Sequence, residues 1–265
     1  MNPALLSVPA WLALAAYLLA ALPVAGTERI AGKALIVGWL AHGIAIVLDI
    51  SGAGRAVAGA RFGFAPALSA TLWLVLAVYG VESRLVPIKQ VRRVLAVLGA
   101  VVVGLAMAFP GESFAQHERW APVHWLLGIV SYALFGAAVL HAALLAAADR
   151  QMRRHRGLPA TGAPAGLPLL RLERLTFQFV IAGFIALSAT LVFGWWFSAV
   201  WHWDHKIVFS VLAWIVFGAL LIGRAAFGWR GKRATRWVYS GAALLLLAYA
   251  GSRFVFEVLL HRPFA

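Results

Sequence analysis

Residues 206–227 read KIVFSVLAWIVFGALLIGRAAF, and between Lys206 and Arg224 no side chain carries a formal charge. A helix rises about 1.5 Å per residue, so a run of about 20 apolar residues spans the roughly 30 Å hydrocarbon core of a bilayer. The run does not alternate apolar with polar residues, as a barrel strand would, and reads as a transmembrane helix. Similar runs recur along the chain. Of its 265 residues 63% are hydrophobic and only 12% charged, with a mean hydropathy of +0.88, a composition no water-soluble domain has.

The expected fold is all-α, a polytopic transmembrane helix bundle of about eight spans. The spans are placed at about 4–24, 34–50, 66–82, 92–109, 121–147, 174–198, 206–227 and 236–260. A linker rich in Arg, Gly, Pro and Ala at about 149–173 separates five spans from three, all within a single integral membrane domain, residues 1–265. The first run has no basic residue before Arg29 and is read as a retained span, not a cleaved signal.

Basic residues alternate in density between connections. They crowd those after spans one (Arg29, Lys33), three (Arg84, Lys89, Arg92, Arg93), five (Arg150, Arg153, Arg154, Arg156, Arg171, Arg174) and seven (Arg230, Lys232, Arg233, Arg236), and are sparse in the others. By the positive-inside rule these connections are cytoplasmic and both termini are non-cytoplasmic. The net charge of +14 is then explained by juxtamembrane loops meeting anionic lipid, and nucleic acid is not an expected partner.

The chain contains no cysteine. Disulfides, thiolate metal sites and covalent Cys-x-x-Cys-His haem attachment are excluded, so histidine is the expected metal ligand. His124 and His141 lie on one span about 25 Å apart and cannot share an iron. His124, His205 and His261 all fall at the expected outer interface, with His117 and His202 in adjoining loops. Nearby stands GWWFSAVWHWDHK, residues 194–206. Two imidazoles, aromatic walls and cations for carboxylates are what a non-covalent haem site needs. Candidates are Trp120, Trp125, Trp195, Trp196, Trp201 and Trp203 for the walls, and Arg119, Lys206 or Arg253 for the propionates; each Trp alone also reads as an interfacial anchor. Arg253, Glu257 and His261 recur every four residues and would share one helix face, as an oriented ligand or a local ion pair. His42, with Asp49 seven residues on, and His141 form a second candidate set, open to metal binding, proton relay or packing.

WAPVHWLLGIVSYALF (120–135), the stretch from Trp201 to Trp237 beginning WHWDHK, and YAGSRFVFEVLLH (249–261) together resemble the cytochrome c assembly proteins, the CcsA, ResC and CcmC haem-handling group. The resemblance covers about residues 120–262 and is closest to the small inner-membrane subgroup of YpjD- and HemX-like proteins. It implies a bacterial inner-membrane, multi-pass, non-enzymatic protein that binds haem b non-covalently and assists cytochrome assembly, with an apocytochrome or other assembly proteins as partners. His124 and His261 match the family's paired external ligands, and Trp201, Trp203 and Asp204 match the end of its tryptophan-rich motif. His202 stands where the family has Gly, and His205 and Ile207 where it has Pro and Glu. Two other readings are a HemX-like regulator of a haem-synthesis enzyme acting through cytoplasmic loops, and a transporter using His42 and Asp49.

Overall fold

A computed structural model describes residues 3–23, 26, 28–52, 60–83, 89–114, 121–154, 169–197, 203–255 and 258. In chain order these form α1 (Pro3–Ala21), α2 (Glu28–Ser51), β1 (Ala60–Phe62), α3 (Phe64–Glu82), α4 (Lys89–Ala108), β2 (Glu112–Phe114), α5 (Ala121–Arg154), α6 (Leu169–Phe197), α7 (His205–Phe227) and α8 (Gly231–Leu246). A π-helical turn, Leu247–Gly251, and the short α9 (Ser252–Phe254) continue α8.

Among the described residues six helices are long and apolar enough to cross a membrane: Glu28–Ser51, Phe64–Glu82, Gln90–Ala108, Pro122–Arg150, Leu169–Trp196 and His205–Phe227. Each coincides with an expected span. The other two expected spans are described only in part: the first coincides with α1, whose described apolar stretch is Ser7–Ala21, and the last, 236–260, runs through α8 and the π turn from Leu247 before it leaves the described residues. The linker is shorter than the expected 149–173, since α5 continues to Arg154 and α6 begins at Leu169. Gln, Met and Arg are strong helix formers, which favours extension of the helix. The short ribbon was not expected: β1 pairs antiparallel with β2, Arg61 opposite Ser113.

Two compact units emerge: Met1–Ala121 with Ala250–Ala265, and Pro122–Tyr249. In the first, α1 packs along α2 and α4, and α3 along α4 and α2. Tyr17 lies fully buried against Gly38 and Gly99, where an added Cβ would come within 2.8 and 3.0 Å of its ring. Small residues let helices approach this closely in a bilayer, where lipid offers apolar side chains as good a surroundings as another helix does. Trp39 and Trp73 stack at 5.0 Å, and each indole N–H donates to the other's carbonyl, at 3.0 and 2.9 Å.

The second unit groups α5 with α6, α7 and α8, rather than with the spans before it. Its contacts run in opposite directions along neighbouring helices. His124 meets Gly194, Gly128 meets Thr190, Phe135 meets Gly183 and His141 meets Phe179, so α5 and α6 are antiparallel. Phe184 with Trp214 and Glu173 with Arg224 make α6 and α7 antiparallel, and Phe217 with Gly241 and Lys206 with Tyr249 do the same for α7 and α8 with its continuation. The core is centred on Phe135 stacked on Phe217 at 3.8 Å, with Val180, Leu220, Val238 and Leu245 around them. Gly228, left-handed at φ 64°, ends α7, and Trp229 N–H closes the turn on the Gly223 carbonyl.

Candidate functional site

Antiparallel packing in the second unit gives it two chemically different ends. One is built from the start of α6, the end of α7 and the start of α8, and it is basic. Arg224 bonds Glu173 at 2.7 Å and lies over Phe177, Arg230 reaches the same carboxylate at 3.4 Å, and Arg233 covers Trp229. The opposite end gathers the starts of α5 and α7 and the ends of α6 and α8.

Here His124, in the first turn of α5, is half-buried and lies against Gly194 of α6. A Cβ at Gly194 would stand 3.2 Å from the His124 Cε1, so the glycine makes the seat for this imidazole. The Thr190 backbone carbonyl is close enough to act on the ring as an acceptor, and Lys206 is near enough for its charge to act on it. Nδ1 is buried with no hydrogen-bond partner among the described residues. Such an orphaned polar atom costs about 1–3 kcal/mol, a penalty that a metal or a ligand donor removes. An imidazole steadied by a backbone group and retaining one unsatisfied nitrogen fits what an axial haem ligand requires.

Lys206 stands 5.8 Å from the centroid of the Tyr249 ring, from the π turn that continues α8. Trp203, Trp195 and Trp196 are exposed, at 68%, 64% and 74%, and Trp125 is half-buried. His205 is exposed at the first residue of α7. Asp204 plays a local structural part as the N-cap of α7, its carboxylate accepting the Ile207 N–H at 2.7 Å. Capping satisfies a backbone donor that the first helical turn leaves unpaired.

Of the other expected residues, Trp120, Trp201, Glu257 and His261 lie outside the described residues, as do His117, Arg119, His155 and His202. Arg253 is half-buried in α9. The expected common face of Arg253, Glu257 and His261 falls largely outside the described residues, of which Leu247–Gly251, Val255 and Val258 have π winding.

His42 and His141 belong to different units. His42 is 1% exposed; its Nδ1 is 3.1 Å from the Tyr17 hydroxyl and its Nε2 2.6 Å from the Ser69 hydroxyl. The chain closes when Tyr17 O–H donates to Nδ1 and Nε2–H donates to Ser69. His42 thus bridges α1 and α3 from α2, and a metal would have to displace one hydroxyl. His141, also buried, donates from Nδ1 to the Ala137 carbonyl at 2.7 Å beside the Phe179 ring. Among the described residues no three or more His, Asp or Glu side chains converge as a metal site. Sequence reasoning missed Gly194, Thr190 and Tyr249, because helix register, which no single segment displays, brings them to His124 and Lys206.

Residues 61–260 match the sequence profile of the family described as "Cytochrome C assembly protein". The chain belongs to the cytochrome C assembly protein family. This is a family of membrane assembly proteins, not of enzymes. Over 165 residues the chain is 33% identical to the inner membrane protein YpjD of Escherichia coli K12, covering 60% of this chain and 62% of that one. It is 32% identical over 146 residues to a 28.8 kDa protein of Azospirillum brasilense, covering 53% of each. It is 30% identical over 109 residues to the cytochrome c biogenesis protein CcsA of Synechococcus sp. strain JA-3-3Ab, covering 37% of this chain and 31% of that one. The matched stretch thus spans less than two thirds of these relatives' lengths. No solved structure matches the chain. Its apolar helices and its likeness to YpjD make this family member a multi-pass protein of the bacterial inner membrane.

Proposed function

We propose that this protein handles haem at the tryptophan-rich end of its second unit, binding haem b non-covalently on the periplasmic side and assisting cytochrome c assembly or haem homeostasis. The observation that carries this reading is the seat of His124: an imidazole held against Gly194, with one buried nitrogen lacking a partner among the described residues. His124 would hold the iron, and His261, which resembles the family's second external histidine, would be its partner ligand. Lys206 would meet a propionate, with Arg253 as a second candidate, and Trp125 and Trp203 would supply apolar surface for the porphyrin.

Haem, when bound, supplies an iron that accepts two neutral imidazoles. The chain's own residues do the remaining work. Gly194 seats the ring, Lys206 would offer charge to carboxylates, and the basic opposite end would face the cytoplasm by the positive-inside rule. An apocytochrome or another assembly protein is the expected recipient.

The test is to purify the full chain in detergent, reconstitute it with haemin, and measure Soret absorbance and pyridine haemochrome content. About one haem per chain is expected, with at least a 10-fold loss of affinity in His124→Ala and in His261→Ala. Unchanged binding in both variants would contradict the ligand assignment.

A further inference from the structure

Helix α8 changes its winding between Leu247 and Gly251, where it becomes π-helical before α9 resumes at Ser252. Hydrogen bonds in a π turn span five residues instead of four. One extra residue is taken up, so every later residue points about 100° away from where a continuous α-helix would aim it. The turn reads LAYAG. It contains no proline, the usual covalent cause of a broken helix.

A cause stands on the facing helix. The Tyr132 hydroxyl, on α5, donates to the Leu245 carbonyl on α8 at 2.6 Å. Leu245 is 2% exposed and lies two residues before the turn. In a regular helix its carbonyl serves the N–H four residues on. A side chain that enters this ladder is a known origin of helix distortion. Tyr132 packs part-buried against the core of this unit, where a phenol hydroxyl is costly to leave unpaired, so it holds its acceptor.

We infer that Tyr132 is a positioning residue that, by holding the Leu245 carbonyl, maintains the π turn and sets the direction in which Tyr249 and Arg253 face. What those residues meet rests on the proposed haem site; the control of winding does not.

Because the chain has no cysteine, single cysteines can be placed in turn at positions 240–255 of the full protein and their labelling rates read with a water-soluble maleimide. In the wild-type background the 3.6-residue rhythm should break across 247–251. In Tyr132→Phe it should continue unbroken, with rates after 251 changed several-fold and those before 245 unchanged. Deletion of Ala250 removes the added residue, should preserve the pattern on both sides of the turn, and should make Tyr132→Phe silent. Identical profiles with and without the Tyr132 hydroxyl overturn the inference, as does an Ala250 deletion that scrambles labelling beyond the turn. If Tyr132→Phe does not fold, the deletion alone decides. Should no variant bind haemin, the haem reading fails while the labelling still judges this one.

Discussion

Gly194 is a residue whose importance lies in what it lacks. With its Cβ position 3.2 Å from the His124 ring, Gly194→Ala requires the imidazole to yield by a few tenths of an ångström, whereas the branched Gly194→Val must push it away. The expected outcome is near-normal haemin affinity for the alanine variant and about a 10-fold loss for the valine, measured by titration at the Soret band. His42 shows the opposite economy, with both nitrogens satisfied by Tyr17 and Ser69. Tyr17→Phe should lower stability by about 0.6–1.7 kcal/mol, the range of cross-helix hydrogen bonds in membranes, in denaturant titrations. His42 was visible in the sequence as a polar residue inside an apolar run. Its two partners were not, because they come from runs 25 and 27 residues away and hydropathy carries no information on which helices become neighbours.

Among the elements, α7 shows how a motif residue acquires a mechanical role. Asp204 ends the tryptophan-rich motif, and its carboxylate caps the helix that carries His205 and Lys206. Asp204→Ala should cost about 1 kcal/mol in thermal or denaturant unfolding, while Asp204→Asn, which keeps the accepting oxygen, should stay near wild type. If the negative charge itself served the haem, both variants would instead lose affinity equally. The centres of the six membrane-length helices were legible, since an uncharged run such as 207–223 permits no other structure in lipid. The end of α8 was not. A π turn leaves composition unchanged, and its cause is a hydroxyl on another helix. The β1–β2 ribbon was hidden similarly, in two three-residue pieces far apart in sequence.

At the scale of a whole unit, Pro122–Tyr249, antiparallel packing converts a linear alternation of basic and tryptophan-rich connections into two opposed ends. The basic end holds Glu173 beneath Arg224 and Arg230, and the tryptophan-rich end holds the seat of His124. Orientation by the positive-inside rule predicts that cysteine at Ser198 is labelled by an impermeant maleimide from the periplasm and cysteine at Ala160 only after lysis. The reverse pattern would place the proposed haem site in the cytoplasm. The sequence disclosed this polarity because Arg and Lys are costly in lipid wherever they fall. It disclosed the site only in part: His124 opens an apolar run and is conspicuous, whereas Gly194, the residue that seats it, is one of 25 glycines with nothing local to mark it. The most direct test is an electron paramagnetic resonance spectrum of the haemin-reconstituted His124→Ala protein, with and without added imidazole. The account predicts a low-spin bis-imidazole signal in wild type, its loss in the variant, and its return with imidazole; a low-spin signal that persists in the variant without imidazole would contradict it.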